Sequence, residues 1–177
     1  MYLSPDVTVE LHRALIYNSM LEGAMKEESE MLKKHIKALK EAKGSKVDAG
    51  WFESDRYPNG RSIAANARIQ NDGGTWKGNW GIIVIPSRPF MRLAFKNFIE
   101  QRRSIEKSLV TKLLSGKITV DQMLNQIGMA MENSIVDSIK NGGWQPNAPS
   151  TIAKKGFDMP LIDDGHMWQN VNSKVTK

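Results

Sequence analysis

Three long stretches of this chain repeat apolar residues at helical spacing, and they frame everything between them. In the first, Met25, Leu32 and Leu39 recur every seven residues, with Leu11, Leu15, Leu21 and Ile36 near the same stripe. Ser4-Pro5-Asp6 supplies its start: Ser caps, Pro suits the first helical position, and Asp favours the positive N-terminal end. The pattern predicts a helix to about Ala42, ended by Gly44-Ser45, with Gly23 as the place where it would kink or divide in two. Core packing is the expected role of this stripe, and packing between subunits is the rival. In the second stretch, Pro86-Ser87-Arg88-Pro89-Phe90 launches a helix to about Ser115-Gly116, apolar along Met91, Phe95, Phe98, Ile105, Leu109 and Leu113. The third opens on the capping box Thr119-Val120-Asp121-Gln122 and buries Leu124, Ile127, Met131, Ile135 and Ile139 before ending at Asn141-Gly142. Only Gly116-Lys117-Ile118 joins the last two helices, so an antiparallel pair is expected.

The intervening segments change period. Lys46 to Phe52 reads as a strand, Tyr57-Pro58-Asn59-Gly60 as a turn, and Ser62 to Ile69 as a short Ala-rich helix stopped by Asp72-Gly73-Gly74. Thr75-Trp76-Lys77 and Trp80 to Ile85 suit a hairpin turning at Gly78-Asn79. Its Ile82-Ile83-Val84-Ile85 run is the strongest strand pattern present and is expected to lie centrally in a sheet, with Trp51, Trp76 and Trp80 in the core. After Gly142 the prolines forbid helix, and too few apolar positions alternate for a ladder of its own, so this arm must lie on something before it enters one last capped turn. Its anchors Trp144, Pro146, Leu161, Ile162, Met167 and Trp168 are candidates for a subunit interface, with burial in their own subunit as the alternative. The expected fold is α+β: a small, mainly antiparallel sheet packed with long helices. Three parts are expected: an N-terminal helical segment 1–44, an α+β core 45–141, and a C-terminal arm 142–177 with a short capped helix.

Charge sharpens this picture. The chain of 177 residues carries a net +6, and the segment Arg88 to Lys117 alone holds eight Lys/Arg against two Glu. Within it Arg88, Arg92, Lys96, Arg103 and Lys107 fall at steps of four, four, seven and four, a candidate face toward DNA or an acidic partner. No aromatic platform or base-reading pattern accompanies them, so any DNA contact is expected to be independent of sequence. With no cysteine, disulfides and thiolate metal sites are excluded. His12, His35 and His166 follow no ligand spacing, and Asp163-Asp164-Gly165-His166 reads as a helix cap rather than a metal site. Gly73, Gly74 and Gly78 lack the Gly-Lys-Ser/Thr of a phosphate loop. No catalytic, cofactor or metal residues are assigned, and an enzyme is not expected. No apolar run approaches the roughly 20 residues needed to span a bilayer. Residues 1–6 show neither a basic start nor a small-residue cleavage site, so no secretory signal is expected.

Three blocks resemble the neck and tail-completion (head–tail joining) proteins of tailed bacteriophages. The first is Val47-Asp48-Ala49-Gly50-Trp51-Phe52, then Tyr57-Pro58-Asn59-Gly60 and Ser62-Ile63-Ala64-Ala65-Asn66-Ala67. Ile85-Pro86-Ser87-Arg88-Pro89-Phe90 is similar to that family's Ile-Pro-x-Arg-Pro-Phe signature. The third, Trp144-Gln145-Pro146-Asn147, then Thr151, Lys155-Gly156 and Pro160-Leu161-Ile162-Asp163-Asp164-Gly165-His166-Met167, resembles its ending. There are departures: Asp164 stands for the usual Thr, Asn71 to Thr75 for Glu-Phe-Gly-Thr, and any terminal strand beyond Val171 is expected to be short. The resemblance implies an α+β subunit in a ring, often of six copies, between neighbouring neck, connector and tail-tube proteins. It implies a place in the virion after assembly in the host cytoplasm, possible non-specific contact with packaged DNA, no cofactor and no membrane. From the residues alone, a non-specific nucleic-acid-binding protein using helix 88–117 is the alternative. The N-terminal helix lies outside the resemblance.

Overall fold

The first apolar stripe folds as one helix, α1 (Pro5–Ala42), 38 residues long and undivided at Gly23. The computed structural model describes residues 5–78 and 81–176, so the Ser4 cap lies outside the described residues. The chain forms two compact units, residues 1–44 and 45–177. Core packing of the α1 stripe is not realised: Met25, Leu32 and Leu39 are 64%, 59% and 56% exposed. Among the described residues, α1 is the sole regular element of its unit, which therefore offers the stripe no second surface.

The second unit is α+β. In order it contains β1 (Lys46–Gly50), α2 (Ile63–Asp72), β2 (Gly74–Gly78), β3 (Gly81–Ile85), α3 (Phe90–Leu114), α4 (Val120–Asn141), α5 (Pro149–Lys155), α6 (His166–Gln169) and β4 (Asn172–Thr176). Its core joins Ile63 and Ala67 of α2, Phe90 and Ala94 of α3, Ile135 and Ile139 of α4, and Met167 of α6. Residues from the start of α3 and the end of α4 share this cluster, as an antiparallel pair requires. The Thr119 capping box forms in full, with the Gln122 N–H donating to Thr119 Oγ1 at 3.2 Å and the Thr119 N–H to Gln122 Oε1 at 2.9 Å.

The expected stripe of α3 is buried toward the end of the helix, at Leu109 and Leu113, but not at its start. There Phe90 and Ala94 are buried, whereas Met91 and Phe95 are 36% and 67% exposed. Phe90 enters the core edge-on to Trp51, with ring centroids 5.8 Å apart. Since each helical residue turns about 100° from the last, anchoring residue 90 inward carries residues 91 and 95 toward solvent.

Two separate antiparallel pairs replace the single expected sheet. β1 pairs with β4, from Lys46 opposite Thr176 to Gly50 opposite Asn172, which brings the end of the chain back to the start of the unit. This pair lies against α4 at a point where only glycine fits: a Cβ on Gly128 would stand 2.9 Å from Ser173 Cβ and 3.4 Å from Val47 Cγ1. Gly128→Ala should therefore cost about 1–3 kcal/mol through overpacking, despite the better helix propensity of Ala. Urea denaturation checks this; unchanged or higher stability would show that the strands can move away freely.

The other pair, β2 with β3, corrects two expectations. Gly78 lies opposite Gly81, so Gly78 belongs to the ladder and not to the turn; residues 79 and 80, with the Trp76 side chain, lie outside what is described. β3 is not a central strand either. It has one partner, and Ile82, Ile83 and Val84 are 71%, 57% and 67% exposed.

The arm packs on its own subunit, contrary to the interface assigned to it. Met167 is buried in the core, and its carbonyl accepts the Trp51 Nε1–H at 2.7 Å. Trp144 folds back over Gly142 and donates its Nε1–H to Ser138 O at 2.9 Å. Leu161, Ile162 and Trp168 pack against the same core, and Lys140 Nζ sits 3.5 Å from the Trp168 ring centroid. Of the six proposed interface anchors only Pro146 is exposed. The prolines do not forbid helix here, because α5 begins at Pro149, where the missing N–H is not needed, and α6 and β4 supply the attachment beyond it.

Candidate assembly surface

Between α2, β3 and the arm runs a groove of about 850 Å³. Ile82, Ile83, Val84 and Ile85 supply its apolar wall. Successive strand residues point to opposite faces, so an all-apolar strand is normally covered on both sides. Here neither face is covered.

The floor and far wall are polar, with Arg88, Lys155 and Tyr57 hydrogen-bonded within the fold and Asn147 Nδ2 buried without a partner among the described residues. Arg88 is 4% exposed and joins two elements: its Nε and Nη2 both donate to Gln145 O at 3.2 Å, and Nη1 donates to Gln70 Oε1 at 3.2 Å. Burial pulls its pKa below the ordinary guanidinium value, and the charge of Asp158 pushes back. Lys155 donates to Met159 O at 2.8 Å and also to Ile162 O, holding the bend after α5. Burial lowers its pKa, with Asp163 and Asp158 opposing the shift and Arg88 adding to it. Burial likewise raises the pKa of the Tyr57 hydroxyl, which accepts an N–H of Asn66 at 2.8 Å. These groups are committed to the fold. No nucleophile–base pair is formed by them.

The proposed basic row is divided by this geometry. Arg88 is a buried strut, not a DNA- or partner-facing residue, because it precedes α3 and turns inward toward the arm. Arg92, Lys96, Arg103 and Lys107 do lie exposed along α3, with Lys96 at 4.0 Å from Glu100. In the last turn of the arm, Asp164 Oδ1 accepts the His166 N–H at 3.0 Å, so this carboxylate caps α6. Among the described residues no three His, Cys, Asp or Glu side chains gather as metal ligands would.

No family model, curated protein or solved structure matches this chain. The surface must therefore be read from its own chemistry. The exposed apolar strand beside the groove is the kind of edge with which another polypeptide pairs. β3 is the part that the sequence reading missed. Its signal was present, since four successive apolar residues describe a strand covered on both faces whether by its own subunit or by another.

Proposed function

We propose that this chain is a structural protein of a tailed-phage virion, forming a ring at the neck or tail end that joins head to tail. The observation that carries the reading is the hairpin β2–β3, whose Ile82, Ile83 and Val84 stand in water beside an open groove. An exposed apolar strand with an outer edge invites pairing with another chain. In a ring, the hairpin of one subunit would lie against its neighbour, and each copy would both give and receive this contact. The three sequence blocks that resemble head–tail joining proteins support the same reading, as does the absence of a catalytic arrangement among the described residues. Six copies, unlike rings above and below, and a location in the virion follow from the resemblance and belong to the proposal. Among the described residues no helix is long and apolar enough to cross a membrane.

Native mass spectrometry of the purified protein, alone and with neck partners, tests this. A closed ring is expected, and Ile82→Asp with Val84→Asp should reduce it to smaller species without lowering the melting temperature of the subunit. A monomer under all conditions, or rings unaffected by the double substitution, would overturn it. A second reading, non-specific nucleic-acid binding, rests on the exposed Arg92, Lys96, Arg103 and Lys107. It would be favoured by submicromolar affinity for random duplex that persists at physiological salt, whereas four point charges alone give weak, steeply salt-dependent binding.

A further inference from the structure

The second uncovered apolar surface is the stripe of α1, and it has a different character from the hairpin. Helices in water owe most of their stability to packing of an apolar face, not to intrinsic propensity. Yet Met25, Leu32, Ile36 and Leu39 are all exposed. Met25 and Leu39 stand seven residues on either side of Leu32, so these three positions have Leu32 as their middle.

Charge along α1 is segregated about that same middle. Over residues 22–31, Glu22, Glu27, Glu28 and Glu30 stand with only Lys26; over residues 33–42, Lys33, Lys34, Lys37 and Lys40 stand with only Glu41. Two copies laid parallel and in register would set acid beside acid and base beside base. Laid antiparallel and centred on Leu32, they set residues 22–30 of one copy alongside residues 34–42 of the other. Each Met25 then meets the partner's Leu39, and opposite charges flank the seam.

We propose that α1 is a self-docking helix whose occupant is α1 of a second copy, antiparallel, with Leu32 at the two-fold axis. The contact is isologous: the same stripe serves both chains. It rests on the α1 stripe alone and stands whether or not the hairpin builds a ring. In a ring-forming protein it would link one ring to another, because a two-fold contact cannot propagate around a cyclic assembly.

The absence of cysteine makes a direct test possible. Full-length Met25→Cys and Leu39→Cys proteins are mixed under mild oxidation, and linked peptides are identified by mass spectrometry. The expected main product is a dimer joining Cys at 25 to Cys at 39, with neither variant linking to itself. In the antiparallel pair two residues at position 25 lie about 14 residues, or roughly 21 Å, apart along the helices, beyond the roughly 7 Å between Cα atoms that a disulfide spans. Each variant linking to itself would show a parallel pair and overturn the proposal; so would the absence of any cross-link. Circular dichroism of both variants controls for loss of the helix. As a second measurement, reversing Glu27, Glu28 and Glu30 to Lys should abolish the mixed cross-link, and undiminished cross-linking would remove the charge argument. Subunit mass with the Ile82→Asp/Val84→Asp background separates this contact from the ring: the cross-link should survive there.

Discussion

Phe90→Ala is expected to lower the stability of the second unit by about 3–5 kcal/mol, the range for deleting a buried aromatic ring. Phe90 is fully buried, lies edge-on to Trp51, and shares a cluster with residues of α2, α4 and α6. Ala67 and Ala94 cannot extend into the space it would leave and Ile63 and Ile139 are β-branched, so only Met167 of the cluster is flexible enough to relax toward it. Most of the cavity therefore stays open and adds to the lost transfer energy. Urea denaturation of the full chain, followed by tryptophan fluorescence, checks the figure. Phe95→Ala is the control: its ring is 67% exposed, so a change within about 0.5 kcal/mol is expected. Equal losses from both substitutions would mean that the buried face of α3 has been misassigned.

The pair also marks how far the fold could be read from the sequence. Helix limits were legible because they rest on local chemistry: Pro5, Gly44, Gly73, the Thr119 capping box and Gly142 each act within a few residues. The turn at Tyr57-Pro58-Asn59-Gly60 was legible for the same reason, the Gly60 N–H donating to Tyr57 O at 2.8 Å. What required the structure was the choice of face. Met91 and Phe95 have the composition of a core stripe and share their row with the buried Leu109 and Leu113, but at the start of the helix Phe90, one residue earlier, meets Trp51 and takes the inward place. Periodicity cannot report which of two adjacent apolar rows faces inward when both are apolar. The same limit applies to β3, where an all-apolar run looks alike whether covered by a sheet or by another chain. It applies again to Gly128, whose smallness records the closeness of Ser173 and Val47, more than forty residues away in each direction.

Arg88 exposes a different limit, that of reading a charge as a surface. Its spacing with Arg92 and Lys96 placed it on a basic row, but the row begins inside α3 and Arg88 precedes it. Arg88→Ala is expected to destabilise by about 3 kcal/mol, since hydrogen bonds from a charged donor contribute roughly 1.5–3 kcal/mol each and three part-buried ones would be lost. Gln145 O would lose two donors and Gln70 Oε1 one. Arg88→Lys should recover only part of this, because an ammonium cannot present the planar fork that reaches both groups. The site of the damage is specific. Hydrogen exchange in the isolated wild-type subunit should show the amides of 144–167 protected, since Trp144, Met167 and β4 already hold the arm to its own chain. In Arg88→Ala the protection should fall first around 145–162, where Arg88 and Lys155 fasten the arm, and least at Met167 in the core. Uniform loss across the unit would make Arg88 a general contributor to stability instead of the strut between α2 and the arm. Exposure of 144–167 in the wild-type monomer, relieved only on assembly, would show that the arm waits for a neighbouring copy.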